Sequence, residues 1–491
     1  MRLTLPHRKR YSVLMPFIVV SAVFFSIAAV RADAADWPNW RGPNHNGISG
    51  ERGWMKAWLE EEPKVLWEKS VGVGYSSVAV VGDRVYTMGN KDGSDIVWCL
   101  NADTGTEVWK HSYSCPRDPA GGYSGPRATP TVNGKHVFTM SHNGQVLCLD
   151  ADSGEVAWNK NVPKELNAGI PQWGLAGSPL VAGKEVILNV GTAGVALDKT
   201  TGKIVWRTGG GMAGYATPVL FEAGGREYLV VSGATSIAIV NAANGDLIDK
   251  YAWRNSSQVN AADPIISGDK IFISADYGKG CALLKFSGDN LNEVWRNKEM
   301  RNHFNSCVLW KGHLYGFDKS GLKCMDFATG GVKWSRRGFG RESSLMIADG
   351  KMIMMEERGT LVVAEPSPNG YKELARKRVL SGTCWTTPVL SGGRIFCRNH
   401  QGTLLCLKVG PKPPRVNPKP AANKPKPRVV LPRKKPQAEP SDPAAGKLGL
   451  AKSYLASGRK EKAKTILKDI VQNHKNSVYA RDAVKLLESI R

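Results

Sequence analysis

Tyr75, Arg127, Trp173, Tyr215, Asn260, His303, Arg341, Glu342 and Trp385 each stand just ahead of a short apolar strand, and together they carry the side chains of molecular recognition. Flat aromatic faces interleaved with a few donors, acceptors and charges can stack and orient a flat or sugar-like ligand. The same residues also suit a plainer task, plugging a channel and packing its rim. That is the reading preferred here, with a small-molecule site as the alternative. Bond-breaking chemistry has less support. No C-x-x-C-H haem attachment, H-E-x-x-H zinc helix, Walker loop or G-x-S-x-G elbow occurs in the 491 residues. Gly209-Gly-Gly211-Met-Ala-Gly214 has dinucleotide-loop spacing, but the strand Tyr215-Ala-Thr-Pro-Val-Leu220 follows it. Without a helix there is no dipole to hold a pyrophosphate, so the segment reads as a connection between strands.

Nine positions so far apart need a frame that brings them together, and the chain supplies one by repetition. Trp67, Trp109, Trp158, Trp206, Trp253, Trp295 and Trp334 recur in steps of roughly 40 to 50 residues, the period of propeller blades. Most close a shared phrase, as in Asp103-Thr-Gly-Thr-Glu-Val-Trp109, Asp152-Ser-Gly-Glu-Val-Ala-Trp158 and Ala328-Thr-Gly-Gly-Val-Lys-Trp334. Asp or Asn accepts the turn hydrogen bonds, Gly takes the positive φ, and the indole packs between neighbouring sheets. Upstream of the turns, Thr129-Pro130 to Phe138, Ser178-Pro179 to Ile187 and Thr387-Pro388 to Phe396 alternate apolar and polar residues about Gly turns. That period of two is the mark of antiparallel hairpins.

First strands begin near Ser76, Ala128, Ser178, Thr217, Ala262, Asn305, Ser343 and Thr386, giving about eight four-stranded units. The predicted fold is therefore all-β, an eight-bladed β-propeller over residues 35–409. Its last unit, ending at Leu404 to Val409, has no fourth strand of its own, and Val65-Leu-Trp67-Glu-Lys-Ser70 is the orphan that would complete it. Such an exchange removes the open sheet edges of a linear array. Because innermost strands line a propeller's channel, the nine recognition residues should gather on one rim. Asp263 stands at a rim position as well.

Nine cysteines in an exported protein ordinarily suggest disulfides. Here Cys99, Cys148, Cys324 and Cys406 share one register, filled in other units by Ala196, Ile239, Leu283 and Val363. That register reads as a buried slot in which Cys serves as a small hydrophobe. Cys115, in a Cys-Pro-Arg-Asp-Pro loop, is the expected exposed thiol.

The ends of the chain differ from the repeats. Arg2, Arg8, Lys9 and Arg10, the apolar stretch Tyr11–Val30 and Ala32-Asp33-Ala34 make residues 1–34 a secretory signal, with an uncleaved inner-membrane anchor as the alternative. A periplasmic or secreted protein is expected. Asp36-Trp-Pro-Asn-Trp40-Arg-Gly-Pro43-Asn-His-Asn-Gly47 should lie as a fixed loop across the propeller. Residues 410–443 are Pro, Lys and Ala-rich, an extended linker by composition. Residues 444–491 change to helical spacing and form three short helices, and Leu450-Ala-Lys-Ser-Tyr-Leu-Ala-Ser-Gly458 resembles a tetratricopeptide repeat. The formal charge is +24, of which the repeats hold only about +5 and the linker and tail about +8 and +7. Specific nucleic-acid binding by the repeats is thereby disfavoured, while the basic linker suits an anionic surface.

The Asp-Thr-Gly-x-x-x-Trp units, the Ser/Thr-Pro strand starts and Asp36-Trp-Pro-x-Trp-Arg-Gly-Pro43 resemble the pyrroloquinoline-quinone-like (PQQ-like) β-propeller repeat proteins, from about Asp36 to Val409. That family includes quinoprotein alcohol dehydrogenases and a non-enzymatic assembly factor of the outer-membrane β-barrel insertion machinery. The resemblance specifies a fold and not an activity. Its dehydrogenases carry an adjacent Cys-Cys disulfide against the quinone and a calcium beside a catalytic Asp. This sequence has no Cys-Cys pair, and neither Asp263 nor Glu342 matches a motif of those enzymes. The expectation is an exported, non-enzymatic scaffold for protein partners in the cell envelope, with no cofactor. The alternative is a quinone-dependent oxidoreductase using PQQ and calcium at an atypical site.

Overall fold

Eight sheets succeed one another along the chain, and turn-plus-tryptophan phrases mark most of the places where one gives way to the next. The computed structural model describes residues 36–55, 58, 62–116, 124–410, 443–456, 460–475, 477 and 479–490. The predicted signal at 1–34 and nearly all of the predicted linker lie outside them.

Blades 1 to 7 span residues 79–114, 131–161, 180–207, 219–252, 265–297, 308–337 and 344–378, each a four-stranded antiparallel meander. Blade 8 takes three strands, Val389–Ser391, Arg394–Arg398 and Thr403–Lys408, from the end of the propeller and its fourth, Lys64–Ser70, from the beginning. Val65 pairs with Leu407, Trp67 with Cys406 and Ser70 with Thr403. Blade 7 gains a fifth strand that the sequence pattern did not announce: Ile48–Ser49 runs parallel to Ile347 and Ala348.

The apolar core sits between blades rather than inside any one of them. One cluster joins Tyr86, Val97 and Cys99 of blade 1 to Val137 and Leu147 of blade 2, another joins Phe138 and Cys148 to Val186 and Leu197 of blade 3, and so on round the wheel. A blade is two-sided and half-apolar on each side, so it is buried only when both neighbours are present.

Each indole docks in the same way. Trp109, Trp158, Trp206, Trp295, Trp334 and Trp67 face Cys99, Cys148, Ala196, Leu283, Cys324 and Cys406 across a pair of strands. The cysteine register is thus an apolar slot beneath a tryptophan. The indole N–H then donates into the next blade: Trp67 to the Ala102 carbonyl (3.1 Å), Trp109 to Ala151 (3.0 Å), Trp158 to Lys199 (3.0 Å) and Trp206 to Ala242 (3.0 Å). The turn glycine of that next blade lies flat on the ring. A Cβ at Gly154 would stand 2.6 Å from Trp109, and Gly154 has φ +75°. Gly is therefore required there twice over, for its backbone conformation and for its missing side chain.

Two positions depart from the expected pattern. Trp253 is not a docked blade tryptophan: in blade 4 the slot residue Ile239 faces Asp249. The docked indoles of blades 1, 2, 3 and 6 stand four residues after their turn glycine, and Trp253 stands eight after Gly245. It is buried just past the strand, with Lys279 Nζ 4.5 Å over its ring. Asp249 takes over the link to blade 5 by accepting the Leu291 N–H at 2.7 Å. Cys115 is the second departure, fully buried rather than exposed. Its N–H donates to the Gly93 carbonyl and its carbonyl accepts Asn90 Nδ2, which folds it under a hairpin turn of its own blade. All nine thiols are free and buried.

A separate unit carries three helices, Pro443–Ala456, Lys460–Asn473 and Ala480–Ser489. Ala444, Leu448, Ala451, Leu467, Ile470, Ala483 and Ile490 form its small core. Among the described residues no helix is long and apolar enough to cross a membrane.

Candidate functional site

Where first strands begin, a belt of hydrogen bonds runs from blade to blade around the channel. The Ser77 N–H donates to Thr129 Oγ1 (3.1 Å), Thr129 N–H to Ser178 Oγ (2.9 Å) and Ser178 N–H to Thr217 Oγ1 (2.9 Å). Thr217 N–H donates to Asp263 Oδ1 (2.8 Å), and Asp263 N–H to Ser306 Oγ (2.8 Å). Small hydroxyl residues thus satisfy inner backbone N–H groups from one blade to the next. Asp263 is the exception, because it brings a second oxygen.

That oxygen meets the N-terminal segment. Trp37 exchanges backbone hydrogen bonds with Val80 of blade 1, and Pro38 accepts from Val132 of blade 2. Trp40 Nε1 donates to Asp263 Oδ2 at 2.6 Å, and Arg41 Nε lies 3.8 Å from the same oxygen. Arg41 Nη2 also donates to the Cys307 carbonyl in blade 6 (2.8 Å), before the segment joins blade 7 at Ile48. Residues 37–49 therefore cross the channel as a fixed plug. Burial pushes the Asp263 carboxyl up, against the pull of Arg41, Trp40 and the Thr217 N–H. Burial likewise lowers Arg41.

Above Trp40 and Asp263 lies a cavity of about 190 Å³ walled by Tyr75, Arg127, Trp173, Tyr215, Tyr277, His303, Phe304, Asn305 and Trp385. Six of the nine recognition residues read from the sequence share it: Tyr75, Arg127, Trp173, Tyr215, His303 and Trp385. The other three stand behind. Asn260 is buried and holds the Gly233 and Trp253 carbonyls through Nδ2. Glu342 is buried against His303, and Arg341 turns to Asp276 at 2.6 Å.

The wall is largely aromatic and stacked. Tyr75 lies on Trp385 (centroids 5.4 Å apart) and on His400 (4.5 Å), and His303 lies on Phe304 (3.7 Å). One polar chain interrupts it: Tyr277 OH meets His303 Nε2 at 2.8 Å, and His303 Nδ1 meets Glu342 Oε1 at 2.6 Å. A neutral imidazole satisfies both bonds, donating to the carboxylate and accepting from the phenol. The chain can hold or pass a proton at the Tyr277 oxygen. Tyr277 also has φ +57°, a strained backbone for a bulky residue.

The residues ahead of first strands did not include Trp40, Tyr277 or Phe304, and Asn305 was placed only as a strand start. Trp40 carried a signal, since its segment was expected to cross the propeller. Tyr277 carried none, because it comes from a turn between the second and third strands of blade 5.

The family model for "Outer membrane protein assembly factor BamB" matches residues 93–336. BamB of Escherichia coli (strain K12) is 34% identical over 113 residues, 21% of this chain and 27% of that protein, so the matched stretch spans about a quarter of the relative's length. The crystal structure of BamB from Moraxella catarrhalis superposes with a TM-score of 0.53 at 14% identity, over 71% of this chain and 98% of that one. Quinohemoprotein alcohol dehydrogenase from Comamonas testosteroni superposes with a TM-score of 0.59 at 13% identity, over 79% and 83%. At such identities the two superpositions speak to fold alone. The chain is a PQQ-like β-propeller similar to BamB.

Proposed function

We propose that this protein is an exported, non-enzymatic propeller scaffold of the cell envelope that binds protein partners, as the assembly-factor relatives' name implies for them. The observation that carries this reading is that the carboxylates at the channel are already paired inside the protein. Asp263 is held by Thr217, Trp40 and Arg41, and Glu342 by His303. What faces outward is a rigid aromatic cup, floored by the plug and suited to an aromatic or aliphatic side chain of a partner. The helical unit at 443–490, read as tetratricopeptide-like, offers a second partner-binding surface. The basic linker would lie along an anionic envelope surface.

The quinone-dependent alternative draws on the fold shared with the alcohol dehydrogenase. The donor set of the channel does not fit it. A tricarboxylate quinone would find one cationic side chain in the lining, Arg127, and the Asp263 oxygens that could hold calcium are taken by N–H donors. We therefore propose function without a cofactor.

The test is capture of partners from envelope extract with the full chain, with a chain ending at Val409, and with Trp173→Ala and Trp385→Ala. Partners lost on the rim substitutions and kept on truncation support the cup. Loss of every partner on truncation would move binding to the helical unit. Stoichiometric quinone binding with dye-linked turnover in the presence of calcium would replace this reading with the alternative.

A further inference from the structure

Between blades 1 and 2, outside the cavity lining, a thiol, an imidazole and a carboxylate converge. Asp95 lies in strand Ser94–Asn101 of blade 1 and Cys115 just after strand Glu107–Ser114 of the same blade. His142 sits in the turn between His136–Met140 and Gln145–Asp150 of blade 2. One ligand atom from each lies within 4.8 Å of the other two. Asp95 and Cys115 are fully buried and His142 is 8% exposed.

The other thiols have different company. Cys99, Cys148, Cys324 and Cys406 face indoles, while Cys281 and Cys307 face the side-chain oxygens of Asn297 and Asn302. Among the described residues, Cys115 alone has both an imidazole and a carboxylate within ligand reach.

The spacing suits a metal. Cys115 Sγ stands 3.6 Å from His142 Nδ1. A sulfur at ~2.3 Å and a nitrogen at ~2.0 Å from a tetrahedral zinc are about 3.5 Å apart. Asp95 is oriented from behind: Asn90 Nδ2 donates to its Oδ1 at 2.7 Å and to the Cys115 carbonyl at 2.9 Å, and Tyr113 OH reaches Oδ2 at 3.4 Å. Such outer partners fix the direction of a ligating carboxylate. Thiolate and carboxylate together also neutralise a divalent cation, which avoids leaving net charge in a buried site. The sulfur and nitrogen donors favour zinc over calcium or magnesium.

We infer that Asp95, Cys115 and His142 form a zinc site that fastens blade 1 to blade 2. On binding, Cys115 releases its proton to solvent and forms the Zn–S bond, His142 donates the Nδ1 lone pair as a neutral imidazole, and Asp95 adds one oxygen. Water completes the tetrahedron, and no electron is transferred.

The test uses the full-length protein, stripped with a chelator, dialysed and titrated with Zn²⁺ against a chromophoric competitor, and in parallel with Co²⁺. One equivalent of zinc and a thiolate-to-cobalt charge-transfer band in the near ultraviolet are expected. Cys115→Ala and His142→Ala should weaken zinc binding roughly tenfold or more, while Cys148→Ala, at an indole slot, leaves it unchanged. Absence of stoichiometric zinc in the wild type, or equal binding by Cys115→Ala, overturns the inference. If the alanine variants do not fold, the wild-type cobalt spectrum decides: a complex without the thiolate band also overturns it.

Discussion

The outer and inner ends of each blade are built on opposite principles. At the outer end one device repeats in six of the eight blades, an indole over an apolar slot residue, donating to the next blade and in most cases covered by that blade's turn glycine. At the inner end the blades share only a belt of Ser and Thr, and the departures carry the chemistry: Asp263 in the belt, Tyr277 and His303 in the wall, Trp40 from outside the repeat. Repetition secures the frame, and the exceptions to it make the site.

The sharpest way to break that contrast is at an indole. Trp109→Ala should cost roughly 3–5 kcal/mol, a cavity plus a lost inter-blade hydrogen bond, read from chemical denaturation. Asp249→Ala, opposite the blade 4 slot residue where no indole docks, should cost only about 1 kcal/mol. Equal losses would mean that the tryptophans are not what holds neighbouring blades.

Next in size is the inner belt. Asp263→Ser restores the residue type of the other blades and still offers Thr217 an acceptor, yet it should destabilise by about 3 kcal/mol because Arg41 is left buried without its counter-charge. A neutral result would show that Arg41 needs only its carbonyl partners.

The plug should also respond to acid. Burial holds the His45 imidazole down, from 6.5 to about 4, with Arg41 adding to the effect. As pH falls the unfolded chain takes up this proton first, so the stabilisation is complete above about pH 6.5 and is lost progressively toward pH 4. His45→Gln should flatten that limb of the stability–pH curve. An unchanged slope would place the acid sensitivity elsewhere.

Smallest is the outer surface. Val205, 49% exposed on the fourth strand of blade 3, should change stability by no more than about 0.5 kcal/mol on substitution with Thr. A loss of partner capture in Val205→Thr would give the outer edge a binding role and weaken the division between frame and site.

Legibility in the sequence followed the same division. The blade number, the slot register and the exchange between Trp67 and Cys406 were all readable, because each is repeated or is the one gap in a repeat. Trp253 misled because it has the right residue type at the wrong distance from its glycine, and only the register about Ile239 and Asp249 exposes this. Cys115 misled because a Pro-flanked cysteine looks like loop, whereas Asn90 and Gly93 draw it inward through its backbone. At the cavity, residues just before first strands were recoverable from topology. Tyr277 was not, since a hairpin turn from elsewhere in blade 5 reaches the channel through backbone geometry that no spacing rule encodes.

The shared blade has a consequence for how the molecule is made. Lys64–Ser70 is among the first stretches of the propeller to leave a ribosome or an export channel, and its mate Thr403–Lys408 is the last. Until that final strand arrives, Trp67 lacks Cys406 beneath it, and the layer joining blades 7, 8 and 1 has no complete wall. Closure is therefore a late, long-range step of the slow kind. An interrupted or C-terminally shortened product would present an unpaired strand to the surroundings, a ready target for proteases and for other unfinished chains.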